Sequence, residues 1–190
     1  MSNLAYRERE DDDYEVINGR IVMMSPRPSV NHNRVISNLC NIFQNYLKGK
    51  RCEAFYDGVE LHLSEDNVFV PDAMIVCNPD IIRQRGIFGA PDLVVEVLSP
   101  RTAKNDFGEK KDVYERYGVK EYWIVNTMDR SIQVYVLQDG KLRIDNIYHS
   151  YSQEDWEDMT EEEKAETQLS LKVSLYDDLI VDVGEVFERV

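Results

Sequence analysis

The chain has 190 residues, of which 43% are hydrophobic and 31% charged, enough to bury one sizeable core. No eighteen apolar residues run together, which excludes a membrane-spanning helix, and the polar, acidic opening MSNLAYREREDDDYE does not read as a signal peptide. The net charge of −14 argues against a partner rich in phosphate, but it lies at the ends: residues 139–190 hold 15 acidic against 5 basic side chains and residues 1–15 hold 6 against 2, so that 16–138 are neutral and leave nucleic-acid binding open.

In chain order, residues 1–13 read as a disordered acidic stretch. Residues 14–24 follow as two short strands around Asn18-Gly19, a hairpin turn signal. Pro26 and Pro28 break the chain. Ser29 or Asn31 then caps a helix over about 31–48, with Val35, Leu39, Ile42, Phe43, Tyr46 and Leu47 on one apolar stripe. Strands are expected at 58–63 and 68–76, then a loop with a helical turn over 77–91, and a strand over 92–98. A helix over 105–117 ends at Gly118, and strands follow at 121–126, 131–137 and 141–147. The strand at 92–98, the helix and the strand at 121–126 form a βαβ crossover. Residues 150–168 read as an acidic, solvated helix in which Thr160 to Glu163 resembles a capping box, and 169–190 as a strand plus a short terminal element. No linker divides the chain, so one domain over 1–190 is expected. Cys40, Cys52 and Cys77 make no Cys-x-x-Cys pair; they read as reduced, partly buried thiols in a cytoplasmic protein.

Two carboxylates interrupt apolar strands. Alternation over Val68–Val76 sets Asp72 on a face with Val70 and Met74, and Glu96 shares a face with Val94 and Leu98. A buried carboxylate without a partner costs several kcal/mol, on the order of 5. Either each acid pairs separately with an arginine or caps a turn, or one divalent cation serves both. On a helical wheel, Lys110 falls within roughly 10° of the centre of the apolar face formed by Phe107, Val113, Tyr114 and Tyr117, whereas Lys111 is about 95° away. A lysine at the middle of such a stripe either snorkels or pairs with Asp106 one turn earlier, or it points at the sheet that carries the acids.

The segments Val70-Pro-Asp72, Pro91-Asp-Leu-Val-Val-Glu-Val-Leu-Ser-Pro100, Asp106-x3-Lys110-x3-Tyr114 and Gly118-Val-Lys-Glu-Tyr-Trp-Ile-Val125 resemble the Uma family of restriction-endonuclease-like proteins, long filed as a domain of unknown function and grouped with the PD-(D/E)xK nucleases. The resemblance extends from about Tyr14 to Val136 and resumes over Leu171–Phe187. It implies an α/β fold of mixed α+β type, with a restriction-endonuclease-like core: a central mixed β-sheet flanked by helices, with an additional N-terminal hairpin and C-terminal strands. It also implies that Asp72 and Glu96 are metal ligands, with the Val97 backbone carbonyl as a third. The strict motif wants lysine at position 98, which is Leu98 here; in this group the lysine is carried on the following helix, where Lys110 matches. His32 matches a histidine at the start of the first helix, either a phosphate or metal contact or a polar helix-start residue. Glu15 approaches the metal or ends a hairpin strand, and Asp106 and Tyr114 are accessory candidates. The acidic 150–168 segment departs from the compact family pattern and reads as an insertion.

These features point to a Mg²⁺- or Mn²⁺-dependent endonuclease acting on nucleic acid, most simply DNA, with Asp72, Glu96 and Lys110 as its catalytic residues. Related nucleases often pair as homodimers, which brings two sites to two strands. The alternative is a catalytically inactive module of the same fold that binds nucleic acid or a protein. A glycosidase fits poorly, because strand-borne acids beside a core-facing lysine do not form a general acid/base pair.

Overall fold

Asn18 and Gly19 both take positive φ, 50° and 75°, and this turn folds Tyr14–Ile17 (β1) back on Arg20–Met23 (β2) as the hairpin signal requires. The structure is a computed structural model that describes residues 14–24, 27–56 and 58–190. The stretch 1–13 and Pro26, for which the sequence carried expectations, lie outside the described residues. Ser29 caps helix α1, Val30–Leu47, its hydroxyl accepting from the His32 amide at 3.1 Å. The helix buries Val35, Ile36, Leu39, Phe43 and Leu47.

Strands β3 (Glu53–Tyr56), β4 (Leu61–Ser64), β5 (Asn67–Phe69) and β6 (Ala73–Val76) follow. The expected single strand over 68–76 is therefore two strands, and they belong to different sheets. The break falls at Val70-Pro-Asp72. Pro71 has no N–H for a ladder, and the Val70 amide donates instead to the Glu15 carboxylate at 3.1 Å. Asp72 thus sits at the bend that opens β6, not inside a strand.

Residues 77–91, expected as a loop with a helical turn, supply that turn as a 3₁₀ element (Pro79–Ile81) and add the short strands β7 (Ile82–Arg83) and β8 (Gly86–Phe88). Strand β9, Leu93–Val97, is buried along its whole length. The helix expected over 105–117 is interrupted. It comprises a single turn α2 (Ala103–Asn105), a π-helical turn (Asp106–Lys110) and α3 (Lys111–Tyr117). Gly108 supplies the break, with φ −111° and ψ −105°, outside the helical region. Strand β10 (Glu121–Asn126) runs parallel to β9, completing the crossover, and β11 (Ser131–Gln138) and β12 (Lys141–His149) extend the sheet antiparallel.

The fold is mixed α/β, with two six-stranded sheets in place of one. One has the order β2-β1-β5-β4-β8-β7 and the other β12-β11-β10-β9-β6-β3, so the N-terminal hairpin belongs to a full second sheet. Residues 150–168 form two short helices, α4 (Gln153–Asp158) and α5 (Glu161–Glu166), each with a complete capping box, at Ser152/Asp155 and at Thr160/Glu163. The C-terminal strand of the sequence reading is a hairpin, β13 (Ser170–Lys172) and β14 (Ile180–Asp182), followed by α6 (Val183–Val186).

The β9-bearing sheet separates two cores. Val95, Trp123 and Val125 face α1 and the C-terminal Leu171, Val181 and Phe187. Val94, Tyr122 and Ile124 face Ile17, Leu61 and Phe69 of the other sheet and Val113 and Tyr114 of α3. Glu96 shares a face with Val94 and so opens into this second core. No helix among the described residues is long and apolar enough to cross a membrane.

One expectation about the cysteines fails. Cys52 and Cys77 form a disulfide, and only Cys40 is a free thiol. The reason is register: Glu53 pairs with Val76 across the antiparallel β3–β6 ladder, which leaves the flanking Cys52 and Cys77 opposite each other.

Candidate active site

The side chain of Glu96 is 5% exposed and its Oε1 accepts two hydrogen bonds, from the Lys110 ammonium at 3.1 Å and from the Tyr114 hydroxyl at 2.7 Å. The π-turn explains why both reach it. Lys110 closes that turn and Tyr114 stands one helical turn later, so both project from the same side of α3. Lys110 Nζ also lies 2.8 Å from Glu15 Oε1 and 3.6 Å from Asp106 Oδ1, with the Phe69 ring 5.9 Å away. Three elements therefore meet on one ammonium: β1 through Glu15, β9 through Glu96, and the π-turn through Asp106.

Asp72 adjoins this cluster from the bend just before β6. Its Oδ2 accepts from the Val97 amide at 2.6 Å, and its Oδ1 lies 3.4 Å from His32 Nε2. The Val97 bond fixes Asp72 beside the residue that follows Glu96. The site is closed around Lys110 and opens towards Asp72 and His32, whose side chains are 17% and 13% exposed.

Three carboxylates, Glu15, Glu96 and Asp106, surround one ammonium, and Asp72 adds a fourth acid at the edge of the cluster. Burial raises the pKa of Glu96 well above the usual carboxylate range; Lys110 opposes this, and the charges of Asp106, Asp72 and Glu15 add to it. Burial likewise raises Asp106, against the pull of Lys110 and a hydrogen bond from Thr102. Burial works to lower the pKa of Lys110, but the carboxylates of Glu96, Glu15 and Asp106 overturn it and hold the ammonium above the ordinary lysine range. Lys110 is therefore a fixed positive charge at any physiological pH.

Among the described residues no three His, Cys, Asp or Glu side chains form a ready-made metal cage. The donor chemistry still suits a hard divalent ion. Mg²⁺ is commonly held by one or two carboxylates, with waters and substrate oxygens completing the shell, and the excess of carboxylates over cations favours added positive charge.

The structure thus brings together Asp72, Glu96, Lys110, Glu15, Asp106, Tyr114 and His32, with Val97 held between the two acids. Sequence reasoning missed Phe69 and Thr102, which carried no signal beyond ordinary core and helix-start residues. It also missed the buried Glu121, whose carboxylate accepts from the Trp123 indole at 2.6 Å, from the Ser174 amide at 2.7 Å and from the Ser174 hydroxyl. That acid lies at the start of β10 and none of its partners belongs to the site.

A family model, Uma2, described as "Putative restriction endonuclease", matches residues 2–174. The uncharacterized protein slr1290 of Synechocystis sp. is 30% identical over 138 residues, which is 72% of each chain. The uncharacterized protein sll1609 of the same organism is 26% identical over 137 residues, 68% of this chain and 77% of its own. Among solved structures, a crystal structure described as a putative nuclease belonging to DUF820 from Anabaena variabilis superposes with a TM-score of 0.70 at 20% identity, covering 93% of this chain and 90% of its own. At that identity the superposition establishes a shared fold.

Proposed function

The chain belongs to the Uma2 family, and on that premise we propose that it is a divalent-metal-dependent endonuclease that hydrolyses phosphodiester bonds of nucleic acid, with DNA as the substrate. Asp72 and Glu96, with the Val97 carbonyl, would hold Mg²⁺ or Mn²⁺. Bound there, such an ion lowers the pKa of a water and offsets charge on the scissile phosphate.

The chain's own residues divide the remaining work. Lys110 is ion-paired with Glu15, Glu96 and Asp106, and its role is that of a cation rather than of a base. It donates hydrogen bonds to the attacking water and to oxygens that gain negative charge. Glu15 and Asp106 keep Lys110 in place, and Tyr114 fixes the rotamer of Glu96 through its 2.7 Å bond. His32, on the open side beside Asp72, would approach the phosphate. A homodimer would bring two such sites to two strands.

The observation that carries this reading is the meeting of Glu96, Lys110 and Asp72 through the Glu96–Val97 segment. The test is nicking of supercoiled plasmid, single-stranded DNA and RNA by the purified protein with Mg²⁺ or Mn²⁺. Wild-type protein is expected to exceed Glu96→Ala and Lys110→Met by at least about a hundredfold, the usual scale for loss of a transition-state charge donor. Equal activity of wild type and Glu96→Ala on all three substrates refutes it.

A second reading has one observation in its favour. The net charge of −14 opposes phosphate-rich partners, as expected of a module that keeps the fold and binds a protein instead. Calorimetric titration with Mn²⁺ separates the two, because such a module has no reason to bind metal through Asp72 and Glu96.

A further inference from the structure

A cavity of about 290 Å³ opens between the end of β12, helix α4 and the turn into α6. None of Asp72, Glu96 or Lys110 lines it. Its lining includes three aromatic residues, His149, Tyr151 and Trp156, together with Asp182. The His149 and Tyr151 ring centroids are 6.1 Å apart with planes inclined at 47°, and those of Tyr151 and Trp156 are 6.3 Å apart at 54°. Rings inclined in this way are not stacked face to face, and all three residues line the cavity.

Asp182 is the acid that lines the cavity, and the segment that supplies part of its wall is strongly acidic. Residues 150–168 hold eight Asp or Glu against the single Lys164. Arg130 donates through its Nη2 to Ser150 Oγ at 3.0 Å while its buried Nε has no hydrogen-bond partner among the described residues, and its charge helps to hold the Asp155 carboxyl low, behind that acid's hydrogen bonds to Ser152. A phosphate or carboxylate ligand would meet repulsion here. An organic cation would meet ring quadrupoles and carboxylates of the right sign.

From these observations we infer that the His149–Tyr151–Trp156 cavity is a binding site for an alkylammonium head group, with Asp182 as its counter-charge. The head group belongs to a free small molecule or to a methylated lysine side chain; both offer the same chemistry. This site is separate from the hydrolytic reading and stands without it.

The protein itself supplies the reporter. It has two tryptophans; Trp123 is fully buried in the core and Trp156 lines the cavity, so ligand-induced change in indole fluorescence reads the site. The full-length chain is titrated with choline, with its neutral carbon isostere 3,3-dimethylbutan-1-ol, and with a short peptide containing trimethyllysine beside its unmethylated and norleucine counterparts. Saturable binding of choline at least about tenfold tighter than of the neutral isostere is expected, since a cation–π contact of 1–2 kcal/mol corresponds to roughly that ratio. If the side chain is the source, the trimethyllysine peptide outranks choline. Asp182→Asn keeps an oxygen for the cap on the Glu185 amide and should weaken the cations severalfold while leaving the neutral isostere unchanged. Tyr151→Leu, which leaves the Trp156 reporter in place, provides a second variant and is expected to lose the preference for charge. Equal affinity for cation and isostere, or no saturable response to any cation, overturns the assignment.

Discussion

Lys110 stands closer to Glu15 than to Glu96: its ammonium is 2.8 Å from Glu15 Oε1 and 3.1 Å from Glu96 Oε1. The first strand of the chain therefore anchors the lysine that the family pattern ties to the central β9. Removing one partner of a buried ion pair leaves the other charge uncompensated. Lys110→Met strands Glu15, Glu96 and Asp106 without a cation and is expected to cost about 3–5 kcal/mol at neutral pH. The cost should shrink as pH falls, because the stranded carboxylates take up protons. Urea denaturation of both proteins at pH 5 and pH 7.5 checks this; equal stability at pH 7.5 contradicts it.

Divalent metal should stabilise the fold if Asp72 and Glu96 hold it. A ligand that binds only the native state adds about 2.7 kcal/mol at a hundred times its Kd. Mn²⁺ is expected to raise the midpoint of thermal unfolding in a concentration-dependent manner, EDTA to reverse the shift, and Asp72→Asn to abolish it. Asp72→Asn keeps an oxygen for the Val97 amide, so its metal-free stability should change little. A shift of the same size in the variant would show that the metal binds elsewhere.

Glu121 provides a pH signature away from the site. Burial raises its pKa, against the hydrogen bonds from Ser174 and Trp123. An acid whose pKa is higher folded than unfolded binds a proton more tightly in the native state. Its contribution is fully present below the ordinary glutamate range and is lost as pH rises through the folded value. Unfolding free energy should therefore fall with rising pH above that range, by at most about 1.4 kcal/mol per pH unit from this one group. Glu121→Gln should flatten that component. Stability curves of the two proteins that run parallel from pH 5 to pH 8 would exclude it.

How far the sequence announced this arrangement depended on the range of the interactions involved. Local signals were legible: Asn18-Gly19 made the hairpin, Ser29 the helix cap, and Thr160 with Glu163 the capping box. Lys110 was also legible, because Lys110, Val113 and Tyr114 lie on the same side of Gly108 and keep helical register. Phe107 lies across the break and is 43% exposed, since the wheel assumed one uninterrupted helix. Asp72 was found by its motif but misplaced within a strand, because the sheet change at Pro71 depends on Glu15, which captures the Val70 amide from far away in sequence. Glu121 was overlooked for the same reason: Ser174, which donates twice to it, is distant in the chain. Spacing rules read neighbours along the chain, and these groups became neighbours only when the sheets paired.

The Cys52–Cys77 bond shows the same limit and carries a consequence. No Cys-x-x-Cys spacing marks it; it follows from the register of β3 on β6. The bond closes a loop with a sequence separation of 25, which in the chain-entropy account stabilises the fold by about 3.5 kcal/mol. The loop contains Asp72, and the Cys77 amide donates to Asp92 Oδ2 at 2.7 Å, while Lys120 bonds the other oxygen of Asp92 at 2.7 Å. Reduction should therefore loosen the edge strand β3 first and leave the β9–β10 centre in place. Protein unfolded without reductant should titrate one thiol, Cys40, and three after reduction. Reductant should lower the midpoint of urea denaturation in wild type but not in a Cys52→Ser, Cys77→Ser double variant, which should start from the reduced protein's stability. Three thiols titrating without reductant, or a wild-type midpoint indifferent to it, would remove the cross-link from the account and leave β3 held by its ladder alone.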